Sequence, residues 1–284
     1  GVYFWHGKLV MKKLVLTGAA GRLGSYLREP LSKMADVLVS TDLVDDLGKL
    51  YNGEQYIKAD LASLSDIEAV LEGADMVVFP PAVYIQHVAE QLVKNNIAVG
   101  GQTVSEHAKG AYTGEISAGM LKDLGCSYVL VGHSERRALY VETSQSVAEK
   151  FKAAQENKLT PILCVGESLL ERQQDKTFAV INSQIAAVID LVGLEAVCNG
   201  VVAYEPVWAI GTGQVASPEQ AQEVHATIRK QLGEGGSTTR LLYGGSVKSS
   251  NAAALFSQPD IDGGLVGGAS LEAEEFLKIA QLTL

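Results

Sequence analysis

The chain has 284 residues, 47% hydrophobic and 6% aromatic, which is enough to bury one large core or two smaller ones. It carries 33 Asp and Glu against 23 Lys and Arg, and its net charge of -10 argues against binding to nucleic acid or to an anionic membrane surface. The three cysteines lack CxxC spacing, and no apolar run is long enough to span a bilayer. The sequence therefore predicts a cytoplasmic protein without a metal site, a disulfide framework or a membrane segment.

The N-terminal part of the chain follows the pattern strand, turn, helix and strand. The first ten residues precede a possible start at Met11, and we interpret them as a leader or as added residues. The apolar runs KLVLTG and DVLVSTD flank an amphipathic stretch, a pattern that predicts a βαβ unit. A third strand, QYIKAD, and a helix, SLSDIEAVLEG, follow before residue 74. We therefore predict a Rossmann-like half-domain over residues 11–73.

A glycine-rich turn begins the predicted helix of this half-domain. The sequence LTGAAGRLG places Gly18, Gly21 and Gly24 directly after the first strand. Glycines at this position allow a tight turn, close approach of the backbone to a pyrophosphate and binding of the anion at a helix N-terminus. Asp42 ends the next strand, where a carboxylate can accept hydrogen bonds from a ribose. These four residues are candidate ligands of a dinucleotide such as NAD.

Residues 11–79 resemble the extended short-chain dehydrogenase and sugar-epimerase family. The resemblance places Asp60 and Leu61 at the position that contacts the adenine. The sequence departs from that family at its catalytic Tyr-x-x-x-Lys motif, which occurs nowhere in the chain. Two interpretations stay open, a half-domain that binds NAD and a structural βαβ unit whose pocket is vacant or weakly used.

From residue 74 onward, short apolar runs alternate with helical stretches. The runs are ADMVVF, NIAVGGQ, SYVLVGH, TPILCVGE, GVVAYEP, RLLYGG and DGGLVGG. Strands this apolar are typical of a parallel sheet that helices cover, and several of them end in Gly, His or Glu. In a (βα) barrel, such strand ends form the active-site face.

Four separated segments carry a candidate catalytic constellation. The segments VGHSERR and AYEPVWAIGTG place His133 and Glu205 at strand ends, and YGGSV and VGGAS supply Ser246, Gly267 and Gly268. Together these motifs resemble those of the triosephosphate isomerase family. The resemblance runs from residue 74 to the C-terminus and corresponds to seven of that family's eight βα units.

This resemblance implies the isomerisation of a small three-carbon phosphate by proton transfer, without a cofactor. Glu205 would be the base, because a carboxylate shielded from water can remove a weakly acidic C–H proton. A neutral His133 imidazole would donate to the oxygens of the enediolate. Gly211, in a lid over residues 206–213, would donate its N–H to the substrate phosphate, and the serine and glycine pair named above would complete the cradle. The glycine pair would also open the helix SLEAEEFLKIAQ. Backbone N–H groups would thus allow an acidic protein to bind a phosphoester.

Two further features follow from the same resemblance. Glu135 would hold a catalytic lysine, and residues 100–115 match a loop that enters a partner subunit. A homodimer formed through this loop is one interpretation, and an exposed loop is the other.

The first strand of the isomerase family ends in Asn-Trp-Lys, and this tripeptide is absent from the chain. The lysine charge stabilises the substrate phosphate and the enediolate, so we expect its loss to impair activity. In the run YIKADL, Tyr56 and Lys58 alternate onto one strand face, as the lost asparagine and lysine would. One interpretation makes Lys58 the replacement for the lost lysine, and the other makes it a solvated residue of an edge strand.

Loss of the first strand also leaves a barrel of seven strands with two unpaired edges. In a dinucleotide-binding fold, KLVLTG would lie beside ADMVVF and could fill the vacant place. Alternatively, QYIKAD fills it together with its helix, which keeps sequential neighbours together.

We interpret the chain as a chimera, of engineered origin, with an α/β fold. A Rossmann-like βαβ segment over residues 11–73 replaces the first βα unit of a TIM (βα)8-barrel-like region over residues 74–284. The leading functional hypothesis is an impaired aldose–ketose isomerase of a three-carbon phosphate. The alternative hypothesis is a non-catalytic fold chimera that binds NAD or phosphate.

Overall fold

The N-terminal strands form a parallel three-stranded sheet. The computed structural model describes residues 11–17, 29, 35–42, 46, 48–52, 54–58, 76–92, 97–210, 212 and 214–281. Strands β1 (Met11–Thr17), β2 (Ala35–Asp42) and β3 (Glu54–Lys58) pair in that order. Their spacing agrees with the three predicted strands, and their parallel pairing is the one that a βαβ unit requires.

A buried carboxylate is paired at the start of β3. Glu54 is 7% exposed, and its Oε1 accepts a hydrogen bond from the Ser40 hydroxyl on β2 at 2.5 Å. Its Oε2 accepts a hydrogen bond from the backbone N–H of Tyr51 at 2.9 Å. Because both oxygens have donors, the sheet can bury this charge, which would otherwise be costly.

The second sheet contains seven strands, all paired in parallel with their sequential neighbours. The strands are β4 (Met76–Val78), β5 (Ile97–Gly101), β6 (Tyr128–Val131), β7 (Thr160–Val165), β8 (Val201–Tyr204), β9 (Arg240–Tyr243) and β10 (Gly263–Gly264). Each corresponds to one of the seven predicted apolar runs, so that prediction is confirmed.

Helices alternate with these strands and continue to the C-terminus. They are α1 (Ile85–Leu92), α2 (Ala118–Asp123), α3 (Ser134–Leu139), α4 (Ser144–Glu156), α5 (Leu169–Gln173), α6 (Thr177–Val192), α7 (Leu194–Cys198), α8 (Pro218–Gln231), α9 (Ser249–Phe256) and α10 (Ala273–Gln281). Short 3-10 helices span Ala82–Tyr84, Val207–Ala209, Gly233–Ser237 and Gly268–Leu271. In the described part of the chain, no helix is both long and apolar enough to cross a bilayer.

The core of the seven-stranded sheet explains why its strands are continuously apolar. On one face, alternate residues of the central strands form a buried cluster of Leu130, Ile162, Cys164, Val201 and Ala203. Residues of the opposite register, such as Leu163 and Val202, are at most 1% exposed. Both faces of the sheet are therefore covered, and polar side chains are left for the strand ends.

The chain divides into two compact units. One comprises residues 76–247 and 254–267, which include the whole seven-stranded sheet. The other comprises residues 1–75, 248–253 and 268–284. The break after residue 75 lies close to the predicted boundary at residue 73.

The C-terminal helix begins later than the sequence predicts. The glycine pair of VGGAS was expected to open a continuous helix, but Gly268 begins a 3-10 helix and α10 starts only at Ala273. Glycine disfavours helix because of its backbone entropy, which is consistent with this later start.

Candidate active site

His133 lies at the amino end of α3, directly after β6 and a glycine. Gly132 has a φ of 73°, and a Cβ at this position would lie 2.8 Å from the Arg137 guanidinium. The left-handed glycine turns the chain so that His133 caps α3, and its Nδ1 accepts a hydrogen bond from the N–H of Glu135 at 3.3 Å. Because Nδ1 is an acceptor, the neutral ring carries its proton on Nε2.

Glu205 follows β8, and its side chain is 2% exposed. Its Oε1 lies 2.9 Å from Nε2 of His133, and its Oε2 accepts a hydrogen bond from the backbone N–H of Ser134 at 2.8 Å. The structure therefore brings the two residues predicted as base and donor into direct contact. Neither carboxylate oxygen is without a donor, which stabilises a charge this deeply buried.

The contact with Glu205 also sets the charge of the imidazole. Burial lowers the pKa of His133, but the hydrogen bond and the negative charge of Glu205 outweigh burial and raise it above its ordinary value. The Glu135 carboxylate, 3.9 Å from Nδ1, adds a smaller effect in the same direction. The side chain of Glu135 is 72% exposed, and its predicted role as a partner of a lysine stays a prediction.

The backbone of Glu205 is hydrogen-bonded to the end of β7. The N–H of Glu205 donates to the carbonyl oxygen of Val165 at 2.7 Å, and the N–H of Val207 donates to that of Glu167 at 3.2 Å. Gly166, between these two acceptors, has no room for a side chain, because a Cβ there would lie 1.8 Å from the carbonyl oxygen of Glu205. Only glycine allows the two backbones to approach this closely.

We expect Gly166→Ala to lower the free energy of unfolding by about 3 kcal/mol, because overpacking against backbone cannot be relieved by a rotamer change. Denaturant-induced unfolding measures this effect. The control is Gly119→Ala in α2, where a Cβ would meet nothing closer than 3.6 Å. An equal effect of the two substitutions would show that the close approach at Gly166 is unimportant.

Sequence reasoning missed a second buried carboxylate, Glu167, which is fully buried two residues after the end of β7. Its Oε1 accepts hydrogen bonds from Trp208 Nε1 at 2.9 Å, from Arg172 at 3.1 Å and from the Tyr204 hydroxyl at 3.2 Å. Burial and then the charge of Glu167 raise the pKa of Tyr204 well above its ordinary value, so the phenol stays a donor. The available signal was the glutamate at the end of the run TPILCVGE.

The predicted phosphate-binding residues follow the next two strands. Ser246 is half-buried after β9, and Gly267 is exposed after β10. Gly268 opens the 3-10 helix described above, and Gly211 lies outside the described residues. The predicted lid contains the 3-10 helix Val207–Ala209, whose Ala209 is buried.

The remaining predicted residues belong to the N-terminal segment and to the long loop after β5. Asp42 and Lys58 end β2 and β3. The positions predicted to bind a dinucleotide that lie outside the described residues are Gly18, Gly21, Gly24, Asp60 and Leu61. In the loop of residues 100–115, the rings of His107 and Tyr112 stack at 3.8 Å, and the predicted contact of this loop with a second copy stays a prediction.

Comparison with known proteins agrees with the geometry of this site. The family model of triosephosphate isomerase matches residues 48–283, a range that begins inside the predicted half-domain of residues 11–73. A triosephosphate isomerase of Shewanella loihica is 50% identical over 244 residues, which cover 82% of this chain and 94% of that protein. One of Nitrosomonas europaea is 56% identical over 213 residues, covering 74% of this chain and 84% of its own length.

The match and the parallel seven-stranded sheet together confirm the predicted TIM-barrel-like region. The identity is high and extends over most of the length of the relatives. The chain therefore belongs to the triosephosphate isomerase family.

Proposed function

We propose that this chain interconverts an aldose and a ketose three-carbon phosphate, with Glu205 as the base and His133 as the donor to the substrate oxygens. The observation that carries the proposal is the 2.9 Å contact between the Glu205 carboxylate and Nε2 of His133. A carboxylate and an imidazole that meet in a buried place can move a proton on and off carbon at neutral pH. Enzymes of this family act on a small phosphorylated triose and need no cofactor.

The proposed reaction moves one proton between the two carbons through Glu205 and one proton between the two oxygens through His133. Glu205 removes a proton from the carbon beside the carbonyl group, and the electron pair of that C–H bond forms an enediolate. His133 donates the proton on Nε2 to the oxygen that becomes negative, which stabilises the charge where it develops. The Glu205 carboxyl then returns its proton to the neighbouring carbon, and the imidazole recovers a proton from the other oxygen.

For this reaction, the Glu205 carboxylate has to exchange its present partners for substrate. It is now bound by His133 and by the N–H of Ser134. When the carboxylate turns away from the imidazole, the main cause that raises the pKa of His133 is removed, and the neutral ring is favoured. A neutral imidazole with its proton on Nε2 is the form that can donate to an enediolate oxygen.

The proposal assigns the substrate phosphate to backbone N–H groups and one hydroxyl. Ser246, Gly267 and Gly268 follow strands β9 and β10, and Gly211 belongs to the lid segment. Backbone N–H groups bind an anion without adding positive charge, which suits a chain with a net charge of -10.

Running the reaction in D2O tests the type of chemistry. Proton transfer through Glu205 predicts that deuterium from the solvent enters the product at the carbon that receives the proton, which proton NMR detects. A direct hydride shift between the two carbons would leave that position undeuterated and would contradict the proposal. The protein should be prepared from a host strain that lacks its own isomerase.

We also propose that turnover is slow, because the chain lacks the Asn-Trp-Lys tripeptide of the family. Loss of one such donor typically lowers the rate by about 10²–10³-fold. Lys58, at the end of β3, is the proposed partial replacement. Residues two apart in a strand lie on the same face, which supports assigning Tyr56 and Lys58 together to the places of the lost asparagine and lysine.

Lys58→Ala is expected to lower the remaining turnover by at least about tenfold, because a cation that stabilises the phosphate and the enediolate is removed. Initial rates from the aldose phosphate measure the effect. Lys152→Ala, on α4, removes a lysine whose side chain is 47% exposed and serves as the matched control. Equal rates for the two variants would reject Lys58 as the replacement.

The N-terminal strands support a second proposal, a dinucleotide-binding half-domain that was joined to the isomerase as a chimera. β1 and β2 pair in parallel with Thr17 opposite Thr41, so that β1 and β2 end at the same edge of this sheet, and the sequence places Gly18 and Asp42 directly after these two residues. NAD is then expected to raise the midpoint of thermal unfolding, and Asp42→Ala is expected to abolish the increase. No change with NAD in either protein would leave the βαβ unit with a structural role alone.

A further inference from the structure

The backbone of Gly166 is held by one side chain from the neighbouring helix α6. The N–H of Gly166 donates to Oε1 of Gln184 at 2.9 Å, and Nε2 of Gln184 donates to the carbonyl oxygen of Gly166 at 3.0 Å. A single amide group thus satisfies both backbone groups of this glycine. Such a paired contact fixes the plane of the glycine as well as its distance from the helix.

Of the three described residues Val165, Gly166 and Glu167, only Gly166 has no backbone hydrogen bond with the segment that begins at Glu205. Val165 and Glu167 accept hydrogen bonds from the N–H groups of Glu205 and Val207, as described above. Gly166 instead lies directly against the carbonyl oxygen of Glu205, where even a Cβ would lie 1.8 Å away. Any shift of Gly166 along this direction therefore moves the backbone of the catalytic base or opens a gap behind it.

We infer that Gln184 is a positioning residue for Glu205, acting through the backbone of Gly166. Gln184 touches neither His133 nor the Glu205 carboxylate in the contacts described above, so its effect is on position and not on charge. Its side chain is half-buried, and the two hydrogen bonds account for both the acceptor and a donor of its amide. The catalytic consequence rests on the proposed function, whereas the effect on the backbone does not.

Gln184→Ala removes both hydrogen bonds and tests the inference by two measurements. NMR-detected hydrogen exchange is expected to be about tenfold faster at the amides of Glu205 and Val207, relative to the slowest amides of β6. The value of kcat is expected to fall by about 10- to 100-fold while KM stays within about twofold, because a misplaced base impairs the chemical step more than binding. If the alanine variant does not fold, Gln184→Met, which keeps the length but has no hydrogen-bonding amide, replaces it.

Gln155→Ala is the matched control, because Gln155 on α4 also donates to a backbone carbonyl, that of Ala196, at 2.6 Å. Exchange at the Glu205 amide that is equal in the two variants overturns the inference, whatever their turnover. Faster exchange in the Gln184 variant alone supports it. Absence of Glu205-dependent turnover in the unmodified protein would reject the proposed function. The exchange measurement alone would then decide whether Gln184 positions the backbone of Glu205.

Discussion

Glu205→Gln is expected to lower kcat by about 10²–10⁴-fold, the usual contribution of a positioned general base. Glutamine has the size of glutamate and retains an oxygen that can accept the hydrogen bond from the N–H of Ser134. It cannot remove a proton from carbon. The loss of activity should therefore occur in a protein whose fold is kept, which circular dichroism and the midpoint of unfolding can check.

The measurement is the initial rate of conversion of the aldose phosphate, coupled to reduction of the ketose product. Because traces of a host isomerase would give a false signal, both proteins are prepared in the same way from an isomerase-deficient strain. Glu156→Gln, on α4, changes a carboxylate that is 63% exposed and is the control for loss of one negative charge. Equal rates for the unmodified protein and the Glu205 variant would reject Glu205 as the base.

The same substitution predicts a change in the pH dependence of stability. The pKa of His133 is raised in the folded protein, chiefly because Glu205 opposes the effect of burial. A raised folded-state pKa stabilises the fold fully below the unfolded pKa of about 6.5, and this stabilisation is lost as pH rises through the folded pKa. The free energy of unfolding of Glu205→Gln should therefore fall further below that of the unmodified protein at pH 5.5 than at pH 8.5. A difference that does not depend on pH would contradict the charge pairing.

The seven strands could be predicted from the sequence because their signals are local, whereas His133 and Glu205 were predicted as a catalytic pair from the resemblance of their motifs to those of the isomerase family. Each strand is a short apolar run, and parallel strands bring their ends to one edge, which is where His133 and Glu205 meet. The late start of α10 was not predicted, because the pattern gave the helix but not the weakening effect of the glycine pair before it. Periodicity thus predicts elements better than it predicts their first residue.

Glu167 and Gln184 could not be assigned from the sequence, because their partners are distant along the chain. A lone glutamate after a strand is common, and its importance here depends on Tyr204 and Trp208, which contact it only in the fold. Gln184 lies within an ordinary helix. Its amide becomes important only because it binds the backbone of Gly166, which lies directly against Glu205. Such roles arise from the packing of strand ends and not from a motif.

Glu167→Ala is expected to lower the free energy of unfolding by about 3 kcal/mol, near the lower end of the cost of breaking a buried ion pair, because Arg172 is 23% exposed. The substitution leaves the Tyr204 hydroxyl and the Trp208 indole N–H without their carboxylate acceptor. It also frees Trp208, two residues after the proline that follows Glu205, from the end of β7. Stability and the position of the lid segment should therefore both change.

Denaturant-induced unfolding measures the loss of stability, and tryptophan fluorescence measures the local change. The chain contains two tryptophans, so a Trp5→Phe background assigns the emission to Trp208. Glu223→Ala, on the exposed side of α8, is the matched control and should alter stability by less than about 0.5 kcal/mol. An unchanged Trp208 emission together with a stability loss no larger than that of the control would mean that the Glu167 contacts do not hold this segment. We expect both the Trp208 emission and the stability to change. The Arg172 guanidinium stacks 4.8 Å from the centre of the indole ring, and in the variant it would remain beside the ring without its carboxylate partner.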